Sequence, residues 1–223
     1  MTHDYESDPP VADATYHRAM KAALRLVALT LVYNLVETGV ALWCGIAAGS
    51  IALVGFGLDA AIEFAAAAVV LWGLRVTAHG ADAARVQVTE AKMYRFVGIT
   101  FLILAMYVTG QSAWVLAAGQ APEESRLGMV LALLSLTVMP LVARAKMHAA
   151  NDLGSAALRA EAKETLACSF LSFTLLLGLA ANAALGWWWA DPVAALLMVP
   201  WLVWEGLEGL RGEGHAHVRP ARG

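Results

Sequence analysis

Two pairs of side chains in this sequence combine metal-binding chemistry with an apolar setting. Asp59 and Glu63 lie in the run GLDAAIEF, and Glu164 and Cys168 lie in RAEAKETLAC. Each pair is spaced i, i+4, which places both side chains on one face of a helix. Carboxylates and a thiol gathered in low dielectric must be protonated or be neutralised by a cation. Four such ligands suit a tetrahedral divalent ion such as Zn²⁺, so the two pairs predict a metal site.

The elements that must position these pairs are membrane helices. The 223 residues are 60% hydrophobic and 15% charged, with a mean hydropathy of +0.62, well above the apolar content of soluble domains. A spanning helix needs about 20 apolar residues. The fold class predicted is all-α, an integral membrane bundle of six transmembrane helices. The six segments are roughly Ala22–Ala48, Ser50–Leu74, Arg95–Ala118, Leu127–Ala143, Leu158–Leu185 and Pro192–Leu210.

The distribution of Lys and Arg predicts the orientation of the bundle. They concentrate before the first segment, between the second and third, between the fourth and fifth, and after the sixth, and only Arg126 falls on the other side. By the positive-inside rule both termini are cytoplasmic. Residues 1–17 are predicted to be a disordered cytoplasmic tail, 18–211 the six-helix membrane domain and 212–223 a short cytoplasmic tail. The protein is expected to be a multi-pass protein of a prokaryotic inner or plasma membrane. Its Lys and Arg residues form no basic stripe, so a nucleic acid is not expected as a partner.

The two pairs are expected at similar depths in the bilayer. At 1.5 Å per residue, Asp59 lies about 13 Å from the outer end of its helix and Cys168 about 15 Å from the cytoplasmic end of its own. Both are therefore near the midplane of a core about 30 Å thick. Polar contacts between helices remain an alternative for the acids, as does a small buried hydrophobe for Cys168. Asn34 and Glu37 in the first helix could orient the ligands, carry protons or join helices.

Longer stretches around these pairs match a known family. AGSIALVGFGLDAAIEF resembles the start of the second membrane helix of the cation diffusion facilitator family, in which a GS turn leads to two metal-binding acids spaced D-x-x-x-D. LRAEAKETLAC and WWWADPVAALL resemble that family's fifth helix and the beginning of its sixth. The resemblance implies that Asp59, Glu63, Glu164 and Cys168 are the metal ligands. Many relatives dimerise through a C-terminal cytoplasmic metal-binding domain, which this sequence is expected to lack, so a homodimer, if one forms, is expected to use the membrane helices or lipids.

The fifth-helix pair departs from the family pattern, which usually has H-x-x-x-D or D-x-x-x-D there. A thiolate favours Zn²⁺ or Cd²⁺, while three carboxylates also suit Mn²⁺ or Fe²⁺. The resemblance implies export of such a divalent cation from the cytoplasm, Zn²⁺ first, in exchange for protons by alternating access. The metal is then cargo, and no prosthetic cofactor is expected.

Two classes of function other than transport also use a buried metal site. A non-transporting membrane metal sensor or accessory subunit would use the same site without flux. An enzyme is not expected, because the chain has neither H-E-x-x-H nor G-x-S-x-G, and four protein ligands would leave Zn²⁺ no open catalytic position. The partners expected are therefore a divalent metal ion, protons and the lipid bilayer.

Overall fold

The described residues are helical almost throughout. A computed structural model describes residues 9–48, 51–119 and 126–211, which form six α-helices and confirm the all-α prediction for this part of the chain. Residues 1–8 of the predicted N-terminal tail, the predicted turn at Gly49 and Ser50, the connection 120–125 and the predicted C-terminal tail 212–223 lie outside the described residues. The helices are α1 (Pro9–Ala48), α2 (Ile51–Ala78), α3 (Ala83–Ala118), α4 (Arg126–Leu153), α5 (Ala156–Leu185) and α6 (Ala190–Arg211).

Most of these helices have the length and apolar character of membrane spans. Five such stretches are found among the described residues, and the chain is a multi-pass integral membrane protein. They are Thr15–Cys44, Val54–Ala78, Ala83–Ala118, Met129–Leu153 and Pro192–Arg211. The remaining helix, α5, has 30 residues, which at 1.5 Å each exceed the thickness of the hydrocarbon core. The count of six spans and the cytoplasmic side of the termini stay predictions.

Several helices extend beyond their apolar segments. α1 begins at Pro9 instead of near Ala22, so residues 9–17, predicted to belong to a disordered tail, are helical here. α4 continues to Leu153, and Lys146, predicted to lie in a loop, is part of it. Hydropathy marks the part of a helix that faces lipid. The helix itself continues wherever the next residue still adds a backbone hydrogen bond.

The helices pack as a group of four with a pair beside it. The most extensive contacts join α1 to α2, α3 to α6 and α4 to α5, and further contacts of α1 with α4 and of α2 with α5 close the four-helix group. Large apolar side chains point outward, among them Trp43, Met106 and Leu197, each more than two-thirds exposed. Polar side chains are buried inside, so polarity is arranged for a lipid exterior and a polar interior.

Three glycines bring α3 and α6 into backbone contact. A β-carbon added to Gly98 would lie 2.8 Å from the Cα atom of Gly209 and 3.0 Å from the carbonyl oxygen of Gly206. A β-carbon on Gly209 would lie 2.6 Å from the Cα atom of Gly98. No side chain fits between the two helices here, and such close approach through small residues is how membrane helices commonly associate.

The beginning of α5 is held by a side chain of α3. Gly154 turns the chain with a φ of 65°, in the left-handed region that glycine occupies without strain. The Ser155 hydroxyl accepts a hydrogen bond from the Leu158 amide at 3.1 Å and caps the helix. Oε1 of Glu90 accepts from the Ser155 hydroxyl at 2.9 Å and from the Ala157 amide at 2.8 Å. Glu90 therefore fixes the position of α5 relative to α3.

Candidate metal site

The four predicted ligands are all inside the helix bundle. Asp59 and Glu63 on α2 are 6% and 2% exposed, and Glu164 and Cys168 on α5 are 1% and 2% exposed. Their two helices are in contact. Because the outer surface of the bundle is apolar, these side chains supply its interior polarity instead of facing lipid.

The α2 and α5 pairs approach each other across the interface. The Asp59 carboxylate lies near the Cys168 thiol, and the Ser135 hydroxyl of α4 lies 3.6 Å from the same sulfur atom. Glu164 interacts electrostatically with both Glu63 and Asp59. Three helices thus contribute polar groups to one region.

Two of these carboxylates have no hydrogen-bond partners among the described residues. Both oxygens of Glu63 and both of Glu164 are buried and unpaired. Thr100 of α3 lies beside Glu164, but its hydroxyl donates to the Val97 carbonyl oxygen at 2.7 Å. Buried carboxylate oxygens without partners are costly, so a proton or a cation on them is stabilising.

The described side chains do not surround a single metal position. No group of three or more His, Cys, Asp or Glu residues in this part of the chain is placed to hold one metal ion. Asp59 lies near Cys168, and Glu63 is close enough to Glu164 for their charges to repel each other. The assignment of all four as ligands stays a prediction.

The first helix adds a third set of buried polar groups. Asn34 is fully buried and Glu37 is 2% exposed. The Tyr33 hydroxyl donates to Oε1 of Glu37 at 3.2 Å. Oε2 of Glu37 and both amide atoms of Asn34 have no partner within the described ranges. Glu37 also interacts electrostatically with Glu63 and Asp59. Glu37 is therefore in the neighbourhood of the α2 acids, while the part it takes in ligand orientation or proton transfer stays a prediction.

Sequence reasoning missed a buried cation next to this region. The Lys146 ammonium of α4 lies 2.5 Å from Oε1 of Glu161 and 3.0 Å from the Thr165 hydroxyl, and all three side chains are 0% exposed. Glu161 precedes Glu164 by three residues and interacts with it electrostatically. The available signal was this i, i+3 spacing, which puts both glutamates on one side of α5.

A second missed residue is Tyr107 of α3. Its hydroxyl occupies the space that a side chain on Gly55 would need, and Tyr107 interacts electrostatically with Asp59. Gly55 lies one turn before Asp59 on α2. The glycine therefore lets a phenol approach the acid from a helix outside the four-helix group, a contact that sequence spacing does not reveal.

Most of the chain matches a known protein family. The family model described as the cation efflux transmembrane domain matches residues 27–211. The chain belongs to the cation efflux family. This confirms the family predicted from AGSIALVGFGLDAAIEF and LRAEAKETLAC. The match begins within α1 and ends with α6, so the helices that carry the buried acids are those of the cation efflux domain.

A curated relative of this cation efflux protein is an uncharacterized transporter of Synechocystis sp.. The two are 28% identical over 166 residues, which are 73% of this chain and 54% of that protein. The chain spans about half the length of the curated relative that it matches. Membership of a cation efflux family agrees with the expected transport role and with a metal cation as the substrate.

Proposed function

We propose that this cation efflux protein exports a divalent transition-metal cation from the cytoplasm in exchange for protons. Zn²⁺ is the first candidate, followed by Cd²⁺, Mn²⁺ and Fe²⁺. The proposed ligands are Asp59, Glu63, Glu164 and Cys168, alternately open to the two sides of the membrane. The observation that carries the proposal is the pair of buried carboxylates, Glu63 and Glu164, whose four oxygens have no hydrogen-bond partner in the described structure.

The chemistry of these oxygens accounts for the exchange. A metal ion binds only deprotonated carboxylate and thiolate, so its binding releases protons. When the metal leaves, buried carboxylates take protons back because an isolated charge in the interior is costly. Metal and protons therefore compete for the same atoms. An acidic compartment on one side of the membrane would displace the metal there.

Metal binding must also bring the ligands closer together. Asp59 lies near Cys168, whereas no three His, Cys, Asp or Glu side chains among the described residues are placed around one metal position. A small shift of α2 against α5 would add Glu63 and Glu164 to the first contact. We assign this shift to the metal-bound state, in which the cation neutralises the repulsion between the carboxylates.

The test is metal flux into proteoliposomes. Purified protein is reconstituted with a zinc-sensitive dye inside, and a pH gradient is imposed. We expect gradient-dependent Zn²⁺ flux that is lost in Asp59→Asn and in Glu164→Gln. Asp152→Asn is the matched control, because Asp152 is an exposed carboxylate of α4, and its flux should equal that of the unmodified protein.

The same preparation separates transport from sensing. Bound zinc is counted after gel filtration for each variant. Stoichiometric Zn²⁺ that depends on Asp59 and Glu164, without flux of Zn²⁺, Cd²⁺ or Mn²⁺, would replace the transport proposal with a membrane metal sensor or accessory subunit. Unchanged flux in both site variants would show that Asp59 and Glu164 are not ligands, while metal transport, the role of the family, would stand.

A further inference from the structure

A groove between α2 and α3 lies apart from the buried acids. Two cavities, of about 400 Å³ and about 360 Å³, share Trp72, Val76 and Arg85 in their walls. We call this the α2–α3 groove. It lies where α2 ends and the chain turns at Gly80 into α3.

The charge of the α2–α3 groove has one sign. Arg75, Arg85 and Lys92 line it, and no carboxylate is among its lining residues. All three side chains are exposed, and none of them takes part in an ion pair in the described ranges, where the pairs are Lys146–Glu161 and Lys163–Glu205. Three neighbouring cations that form no ion pair within the described ranges attract an anion with several acceptor atoms.

The other wall of the α2–α3 groove is apolar and faces outward. Trp72 is 52% exposed and Val88 is 54% exposed. Trp72 lies in the last turns of the apolar stretch Val54–Ala78, at the level where tryptophan is enriched in membrane proteins, between hydrocarbon and water. The groove therefore has a hydrocarbon-facing side and a cationic side next to each other.

We propose that the α2–α3 groove binds an anionic phospholipid. Arg75, Arg85 and Lys92 would hold the phosphate-bearing headgroup, and an acyl chain would run along Trp72 and Val88. A free phosphate ion would use the cations and leave the apolar wall uncovered. A zwitterionic lipid would cover that wall while placing its own cation among three others. An anionic lipid matches both walls, and basic pockets at the membrane surface are known to bind such headgroups.

The α2–α3 groove sits on the helix that carries Asp59 and Glu63. A lipid held by both α2 and α3 would link these helices through their last and first turns. The proposal does not depend on the metal or on the direction of transport, and it is tested without either.

Native mass spectrometry of the full chain in detergent provides the test. Phosphatidylglycerol and phosphatidylcholine with identical acyl chains are titrated separately. We expect at least tenfold tighter binding of phosphatidylglycerol. The variant Arg75→Gln/Arg85→Gln/Lys92→Gln should lose most of that preference, because each cation near the surface favours an anionic lipid.

A matched control removes the same charge elsewhere. Lys21→Gln/Arg144→Gln/Arg211→Gln removes three exposed cations outside the groove and should keep the preference. Equal losses in the two triple variants would assign the effect to overall charge and overturn the proposal. Equal affinity for the two lipids would do the same.

Two further outcomes would assign the α2–α3 groove to another occupant. Inorganic phosphate that displaces phosphatidylglycerol at comparable concentration would point to a free anion site. A dimer that forms without lipid and dissociates in the groove variant would point to a second copy of the chain. Either result overturns the lipid assignment. An unchanged gel-filtration profile and an unchanged helical signal in circular dichroism would show that the variants remain folded.

Discussion

The ammonium of Lys146 and the carboxylate of Glu161 form an ion pair in the helix bundle, with neither side chain exposed. Removing one member of a buried pair leaves an uncompensated charge, which costs about 3–5 kcal/mol. We therefore expect Lys146→Met to lower the thermal unfolding temperature in detergent strongly. The double variant Lys146→Met/Glu161→Met should recover most of the loss, since no charge is then left unpaired.

The exposed cation Arg144 provides the comparison on the same helix. Arg144→Met should change the unfolding temperature little. If Lys146→Met and the double variant lose the same stability, the two charges are not coupled and the pair is not the stabilising unit.

Cys168 should influence which metal the protein prefers. Its sulfur lies near the Asp59 carboxylate and the Ser135 hydroxyl, and a thiolate favours softer ions. In Cys168→Ser, we expect the affinity for Cd²⁺ relative to Mn²⁺ to fall on the order of tenfold. Competition binding in detergent measures this ratio.

Cys44 supplies the matched control for that substitution. It lies on α1 and is only partly buried, so Cys44→Ser should keep the ranking of metals. An unchanged ranking in Cys168→Ser as well would count against Cys168 as a ligand and leave the carboxylates to select the ion.

The glycine contact between α3 and α6 should tolerate no larger residue. Gly98→Leu would place a side chain where the Gly209 backbone lies, and overpacking of this kind costs about 1–3 kcal/mol. Gly110→Leu, on the same helix with no atom within 4 Å of the added β-carbon, should be close to neutral. Thermal unfolding of the two variants in one detergent provides the comparison, and equal losses would argue against the backbone contact.

The Glu90 contact should control the first turn of α5. Glu90→Ala removes the acceptor of both the Ser155 hydroxyl and the Ala157 amide. Hydrogen bonds to a charged group contribute about 1.5–3 kcal/mol each, so amide exchange at Ala157 should accelerate at least about tenfold. Glu90→Gln, which keeps a carbonyl acceptor, should show a smaller increase, and no change in Glu90→Ala would leave the turn held by other contacts.

Much of this architecture could be predicted from local sequence. The apolar stretches indicated where helices lie, and the i, i+4 pairs on α2 and α5 are indeed buried. The Lys146–Glu161 pair could not be found this way, because hydropathy ends the fourth segment near Ala143 and places the lysine in a loop. The bond from Glu90 to Ala157 joins residues far apart in sequence, and only the packing of α3 against α5 brings them together.

The connections of α3 also indicate which helices we expect to move together. Direct backbone contact at Gly98 and Gly209 joins α3 to α6, and Glu90 joins α3 to the start of α5. Any movement of the α2 acids is therefore best measured against the α3–α6 pair. Spin labels for distance measurements belong on that pair as the reference and on α1 or α4 as the probe. We expect a label pair confined to α3 and α6 to report the same distance with and without metal.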